Sequence, residues 1–289
     1  PITVKMDAVK VVRRETDTTS IKEDDAGEDT MKDFASHSEM GLRGASDAAV
    51  RNALMAGVAM ETRYDVTAHR AGKLLWKAQA KNRVVTAGLN KLLDATFKTG
   101  LASPLWYIGL CSASITDAAI TGGLAILTSA STPFSATDVG RAIIVRGAGA
   151  SGADLVTTIL SFTNSGSVTL AANAGTTVTG ASAIWEARAA DTMSSHTPWV
   201  ENAAYSQSNR PAFTPGTISG GSVDNSASQA QFSINANNTV IGGLFLVDNN
   251  TISGTTGTLY GMAPFSVSFR QLNNGDTLSV TATLTAAST

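Results

Sequence analysis

Several residue types that define common protein classes are scarce in this chain of 289 residues. The one cysteine, Cys111, excludes a disulfide within the chain, so nothing in the sequence requires an oxidising compartment. The longest apolar stretches, such as residues 241–247, are far shorter than the roughly 20 residues that a membrane-spanning helix needs. Residues 1–5 lack the charged-then-apolar layout of a signal peptide. We therefore expect neither membrane insertion nor a secreted, disulfide-rich fold.

Charge is also scarce, and it is unevenly distributed. Charged side chains make up 15% of the chain, and 21 basic against 23 acidic residues give a formal net charge of −2. Residues 1–100 hold 16 basic and 14 acidic residues, whereas residues 101–289 hold 5 and 9, with no lysine after Lys98. Such a balanced surface gives no reason to expect nucleic acid as a partner. The change near residue 100 predicts at least two parts, the second of which is rich in short strands and tight turns.

Residues 1–45 are predicted to form an N-terminal docking arm. Within them, residues 13–33 are charged and polar, with acidic blocks at residues 23–25 and 28–29. A segment of this composition buries too little apolar surface to fold alone. It is either a solvated, disordered tail or an arm that becomes ordered on a partner subunit. We take the docking arm as our prediction.

Two short helices are predicted before residue 100. The first spans residues 46–60, where apolar residues recur four positions apart on one stripe. Ser46 can cap its N-terminus. The second spans residues 87–98, with Thr86 as its cap and an apolar face along its length. The residues of that face are Leu89, Leu92, Leu93 and Phe97.

The remaining pattern is that of a mainly β protein. Alternating runs on either side of a turn at residues 69–72 predict a β-hairpin, and residues 105–110 predict a strand. Further strands are predicted over residues 231–235, 239–247, 258–265 and 277–285, with Leu278, Val280, Ala282 and Leu284 facing inward. This spacing predicts that residues 46–112 plus 188–289 include a discontinuous antiparallel β-sandwich, Ig-like or jelly-roll-like.

Residues 113–187 are predicted to be an inserted small β-domain. Without them, the strand that ends at Cys111 would continue directly to Ala189. An insertion in a surface loop costs little entropy, so we expect Ala113 and Ala187 to lie close together and the outer domain to fold without the insert. The strands predicted in the insert are residues 124–128, 142–146, 155–162, 168–171 and 183–186.

Two sets of segments carry a resemblance to known proteins. The first is a discontinuous frame of residues 84–94, 106–110, 190–196, 199–201, 205–206, 210–211, 221–225 and 257–261. This frame resembles a family of small virion-structural proteins of tailed bacteriophages, mostly short-tailed ones. The second set, residues 134–140, 147–150 and 155–159, resembles a β-module common in phage tail spikes and fibres. The resemblance implies a structural component of a phage particle.

Residues 147–152 fit the G-x-G-x-x-G pattern of a dinucleotide site. Such a site needs a helix directly afterwards and an acidic residue about 20 positions on. The residues that follow are instead β-branched, and no acid lies between Asp154 and Glu186. We therefore interpret the motif as a glycine-rich turn and predict no cofactor.

Catalytic and metal-binding patterns are also missing. The three histidines, His37, His69 and His196, have spacings that fit no metal site, and Cys111 stands alone. On an extended chain the side chains of Ser195 and His196 point in opposite directions, so they do not form a nucleophile–base pair. No pair of carboxylates resembles that of a glycoside hydrolase. We predict no metal site and no catalytic residue, and that the protein is not an enzyme.

The predicted function is a non-enzymatic structural component of a tailed bacteriophage virion, made in the bacterial host cytoplasm. The position that we favour is a tail-attached fibre or fibre-like appendage anchored by the N-terminal region. The alternatives are a capsid decoration (cement) protein and a receptor-binding module for a host surface glycan. Expected partners are other virion proteins, at the tail adaptor or portal region or on the capsid shell, and further copies of the chain in a homo-oligomer. In the glycan-binding alternative, a saccharide would contact some of six aromatic residues, although core packing also explains those that lie on strands. The six are Trp76, Trp106, Tyr107, Trp185, Trp199 and Tyr205.

Overall fold

The computed structural model describes residues 58–98, 104–196 and 199–288. Over these ranges the protein is mainly β, as predicted, with antiparallel strand pairs and one α-helix, α1 (Thr86–Phe97). The predicted arm of residues 1–45 and most of the first predicted helix lie outside the described residues. No helix within the described ranges is both long and apolar enough to cross a membrane.

The strands fall into three groups along the chain. Before the insert they are β1 (Val58–Arg70), β2 (Lys73–Val84) and β3 (Trp106–Cys111). Within it they are β4 (Ile115–Ile120), β5 (Ile126–Ser129), β6 (Ala142–Val145), β7 (Leu155–Asn164), β8 (Ser167–Leu170) and β9 (Val178–Trp185). After it come β10 (Glu201–Asn202), β11 (Ala212–Phe213), β12 (Ser222–Asp224), β13 (Ala230–Ser233), β14 (Thr239–Ile241), β15 (Gly243–Val247), β16 (Leu259–Pro264), β17 (Arg270–Leu272) and β18 (Thr277–Ser288).

The predicted hairpin is confirmed as β1 and β2. Its two turn residues, Ala71 and Gly72, have φ of 47° and 76°, the positive values that a tight hairpin turn requires. The expectation of a helix through residue 60 is wrong at its end, because residues 58–60 belong to β1. There they pair with the C-terminal part of β18, Val58 lying opposite Ser288, and this ladder of backbone hydrogen bonds overrides the apolar spacing.

Helix α1 is present where the second helix was predicted, but its start and its faces differ from the prediction. Val85 rather than Thr86 occupies the N-cap position, and no side chain caps the helix. The backbone satisfies this end instead, since the Val85 and Thr86 amides donate to the carbonyls of Tyr260 and Ala189 at 2.9 and 2.8 Å. Leu92 packs against the core, whereas the other members of the predicted apolar face are exposed: Leu89, Leu93 and Phe97.

A ten-stranded sheet, the outer sheet, folds over one apolar core, the inner core. Along its main path the strand order is β10-β3-β15-β16-β2-β1-β18-β12, while β11 pairs with β3 and β13 with β18. The inward residues of β1, β2 and β18 meet those of β3, β15 and β16 across the inner core. Leu278, Val280 and Ala282 face inward as predicted, and Leu284 packs at the margin. Tyr64, Val66, Ile108, Leu110, Leu244 and Leu246 also belong to the inner core.

Residues of the insert form a closed six-stranded barrel, in the order β4-β5-β8-β7-β6-β9. Its interior is filled by side chains such as Leu127, Ile143 and Trp185. Strand β4, with the sequence ITDAAI, was not predicted, because its Asp and Ala residues are poor strand formers. It pairs with β9, the last strand of the barrel, so the chain enters and leaves the barrel on neighbouring strands.

The barrel packs against the outer sheet through a third cluster of buried residues, the joint core. Ile144 and Ile184 of the barrel meet side chains of β3, β15 and β16 that point away from the inner core. Those side chains are Cys111, Phe245, Val247, Leu259 and Met262, and Ala113 and Ala187 lie in the same cluster. Every residue of β15 and β16 is therefore buried, on one face by the inner core and on the other by the joint core.

Because the barrel and the outer sheet share the joint core, we no longer expect the outer sheet to keep its full stability without the barrel. Excision of residues 113–187 with a short Gly/Ser join would expose Cys111, Phe245, Val247 and Met262 to water, at about 25 cal/mol for each Å² of apolar surface. We expect the excised protein to aggregate or to melt at a clearly lower temperature than the full chain. Thermal unfolding followed by circular dichroism measures this, and an unchanged, cooperative transition would show that the joint core contributes nothing to stability.

Candidate functional site

The two described histidines and the cysteine lie in separate surroundings. His69 is half-buried on β1, and the ring of His196 stacks on Trp199 with centroids 3.7 Å apart. His196 Nδ1 also lies 2.9 Å from the Trp199 carbonyl oxygen, so this ring holds a loop in place. Cys111 is buried, which raises the pKa of its thiol well above the usual value. His37 lies outside the described residues, and within them no three His, Cys, Asp or Glu side chains group closely enough to bind a metal ion.

A buried ion pair joins Glu201 of β10 to Arg210. The guanidinium Nε and Nη2 donate to the two carboxylate oxygens at 2.8 and 2.7 Å, the two-point geometry that suits arginine and carboxylate. Arg210 also donates to the carbonyl oxygens of Asn249 and Gly254, and Glu201 accepts from the Ser253 amide. Every charge here has a partner inside the protein, so the pair fixes loops together and offers no free acid or base.

The glycine-rich motif of residues 147–152 lies beside a hydrogen-bonded link between the barrel and the outer sheet. Gly147 and Gly152 have φ of 71° and 78°, and strand β7 follows the motif where a dinucleotide site would need a helix. Asp154 accepts hydrogen bonds from the Gly147 amide at 3.0 Å and from the Phe269 amide, between β16 and β17, at 2.8 Å. The prediction of a turn is confirmed, and the turn also ties the barrel to the outer sheet.

A second polar link surrounds the buried carboxylate of Asp138. Arg188 donates to both of its oxygens at 2.7 Å, which raises the pKa of Arg188, and Arg141 lies 3.4 Å away. Arg141 also donates to the Ala187 carbonyl, at the point where the chain leaves the barrel. Burial raises the pKa of Asp191 nearby, although the Arg188 amide donates to it. These charges hold the exit of the barrel in a fixed position.

The aromatic residues considered for saccharide binding are mostly in the interior. Trp106, Trp185, Trp199 and Tyr205 are buried, so their rings are not available to a sugar. Trp76 is half-buried, with the Arg270 guanidinium 5.5 Å from its ring centroid. Core packing therefore accounts for these side chains.

An apolar depression, the apolar groove, has a cavity volume of about 610 Å³. It lies at one end of the outer sheet and is lined by residues of β1, β3, β11, β12, β18 and α1. Leu105 and Ile218 also line it and are 73% and 75% exposed. Large exposed apolar patches on soluble proteins commonly mark interaction sites. The deeper lining includes Met60, Leu92, Trp106, Phe213, Val223 and Leu284.

This groove has no local signal in the sequence, because its lining comes from separate segments, some of them more than 200 residues apart. Leu105 begins a predicted strand, and Ile218 is a single large apolar residue among Gly, Ser and Thr. Comparisons with protein-family models, with curated proteins and with solved structures find no match to this chain.

The buried and the exposed ion pairs predict different mutational costs. Arg210→Met leaves the buried Glu201 carboxylate without its partner, and we expect a loss of about 3–5 kcal/mol in the free energy of unfolding. The control is Arg63→Met, which breaks an exposed pair with Asp65 and should cost no more than about 1 kcal/mol. Urea unfolding measures both values. Equal losses in the two variants would contradict a stabilising role for the Glu201–Arg210 pair.

Proposed function

We propose that the protein is a non-enzymatic structural component of a tailed bacteriophage particle. Its favoured position is a tail-attached fibre-like appendage anchored by residues 1–45, with a capsid decoration protein as the alternative position. The resemblance of residues 84–94, 106–110 and 190–196 to small virion-structural proteins supports this proposal. We also propose that the outer sheet belongs to the Ig-like or jelly-roll-like sandwiches, because its two halves face each other across the inner core.

The apolar groove is the observation that carries an assembly role. The patch combines a hollow with two protruding apolar side chains, Leu105 and Ile218. Such a surface is self-complementary, since the protruding side chains of one copy can fill the hollow of the next. We propose that a second copy of this chain occupies the groove.

The edge strands at this end of the outer sheet form backbone hydrogen bonds with other segments of the same chain. The Gly216 amide donates to the Asp224 carbonyl of β12 at 2.7 Å, and the Ser206 amide donates to the Ser233 carbonyl of β13 at 2.9 Å. Covered edges of this kind do not accept a strand from another molecule. The proposed contact between copies therefore uses apolar side chains, not extension of the sheet.

Self-association through the groove is tested by placing a charge at its rim. In Leu105→Asp a carboxylate would have to be buried between copies, so we expect the oligomer to become a monomer. The matched control is Leu160→Asp, at a 61% exposed leucine on the barrel exterior, which should leave the assembly unchanged. Light scattering gives the mass at low and high salt, and apolar contacts should survive high salt. A monomeric parent chain, or equal loss of mass in both variants, would contradict this contact.

The role in the particle is tested by deletion of residues 1–45. We expect particles to incorporate the full chain but not the shortened one, since the remaining β structure lacks the proposed anchor. Co-sedimentation with particles measures incorporation, and labelled antibodies distinguish tail from capsid. Circular dichroism of the purified shortened chain controls for folding. Particles that contain neither chain would refute the structural role, and full occupancy by the shortened chain would refute the anchor.

A further inference from the structure

A second depression, the polar cleft, lies where the barrel meets the outer sheet. It has a cavity volume of about 320 Å³. The barrel contributes Thr116, Arg146 and Ser182 to its lining, and the outer part contributes Ser112 and Asn202, together with Asn238 beside β14. Binding sites for small molecules occur preferentially at such junctions.

The side chain of Arg146 has almost all of its hydrogen-bonding capacity unused. Within the described residues its guanidinium has one contact, from Nη2 to the Gln271 side-chain oxygen at 3.4 Å, which is longer than an ordinary hydrogen bond. The Arg146 backbone is held by its amide, which donates to the Ser182 carbonyl at 2.8 Å. The backbone of Arg146 is thus anchored, and its guanidinium offers up to four further N–H donors to a ligand.

Two more lining residues keep donors without a protein acceptor. Asn202 Nδ2 donates to Ser112 Oγ at 3.0 Å, so the Ser112 oxygen acts as acceptor there and its own hydrogen finds no acceptor among the described residues. Asn238 Oδ1 accepts from Gln271 Nε2 at 2.8 Å, while the side-chain nitrogen of Asn238, Nδ2, has no acceptor within the same residues. The Asn202 side chain is itself fixed, because it also bonds the Val240 carbonyl and the Ala204 amide.

No carboxylate balances this set of donors. The lining holds one cation, Arg146, and neither Asp nor Glu. Asp117 and Glu201 are sequence neighbours of lining residues, and Asp154 bonds the amide of Gly147, the residue after Arg146. Each is already engaged: Asp117 accepts from Ser129 and Ser131, Asp154 also accepts from the Phe269 amide, and Glu201 is paired with Arg210. A cleft with an arginine, a hydroxyl and an amide as open donors is suited to an oxyanion.

We propose that the polar cleft binds a small ligand through an oxyanion, the carboxylate or the phosphate of an acidic sugar. In this assignment Arg146 makes the charged contact, and Ser112 and Asn238 donate further hydrogen bonds. The hydroxyls of Thr116 and Ser182, on the same lining, suit the hydroxyl groups of a sugar. This inference concerns the isolated chain and does not depend on the proposed place in a particle.

Calorimetric titration of the purified full chain with glucuronate, inorganic phosphate and glucose tests the proposal. We expect saturable binding of glucuronate or phosphate, weakened by added salt, and no binding of glucose. A preference between the two anions identifies the ligand as a carboxylate or a phosphate. Absence of binding for both anions, or equal binding of glucose, would overturn the proposal.

Variants then locate the site. Arg146→Gln should weaken anion binding by about tenfold or more, since it removes the charged donor, and Ser112→Ala should weaken it less. Arg63→Gln, at an arginine of the outer sheet that does not line the cleft, is the matched control and should bind as the parent chain does. Melting temperatures confirm that each variant is folded. Undiminished binding by folded Arg146→Gln would place any anion site elsewhere and refute this one.

Discussion

Phe245 packs over Gly109 on the face of the outer sheet that meets the barrel, with the Trp199 ring centroid 4.6 Å from its own. The guanidinium of Arg210 lies 5.1 Å from the same ring. A Cβ at residue 109 would overlap the Phe245 ring, so this contact requires glycine in the middle of β3. Because neighbouring residues of β15 point into the inner core, the same short strand supports both apolar clusters. The position of the barrel thus depends on the packing of one central strand.

Several of the few charges beyond residue 100 lie where the chain passes between the barrel and the outer sheet or where two loops meet. Arg141, Arg210 and Asp138 are nearly inaccessible to water, and each has partners inside the protein. Buried pairs of this kind add little net stability compared with apolar packing, but a misplaced partner leaves a buried charge and is heavily penalised. They therefore favour one orientation of these segments over others. Arg146 differs from these three, since it lines a cleft and has no acid as partner among the described residues.

Local sequence patterns predicted the secondary-structure elements that depend on residues close together in the chain. Alternation with a Gly-containing turn was sufficient for the β1–β2 hairpin. The apolar run of residues 239–247 indicated one buried strand, which the structure divides into β14 and β15. Contacts that join distant segments could not be predicted. Pairing with β18 turned residues 58–60 from helix into strand, and a backbone bond to Tyr260 replaced the expected cap of α1. The apolar groove and the polar cleft have no local signal, because each is lined by residues from many separate segments.

The edges of the β-sheets limit how another molecule can add a strand to this protein. A closed barrel has no free strand edge, and at one end of the outer sheet β12 and β13 are covered by residues 216–219 and 206. These backbone hydrogen bonds hinder the addition of a strand from another molecule at these places. The exposed side chains of the described residues offer two other surfaces, the apolar contact at Leu105 and Ile218 and the polar cleft at the junction. Assembly and ligand binding would thus use separate parts of the surface, which lets one occur without the other.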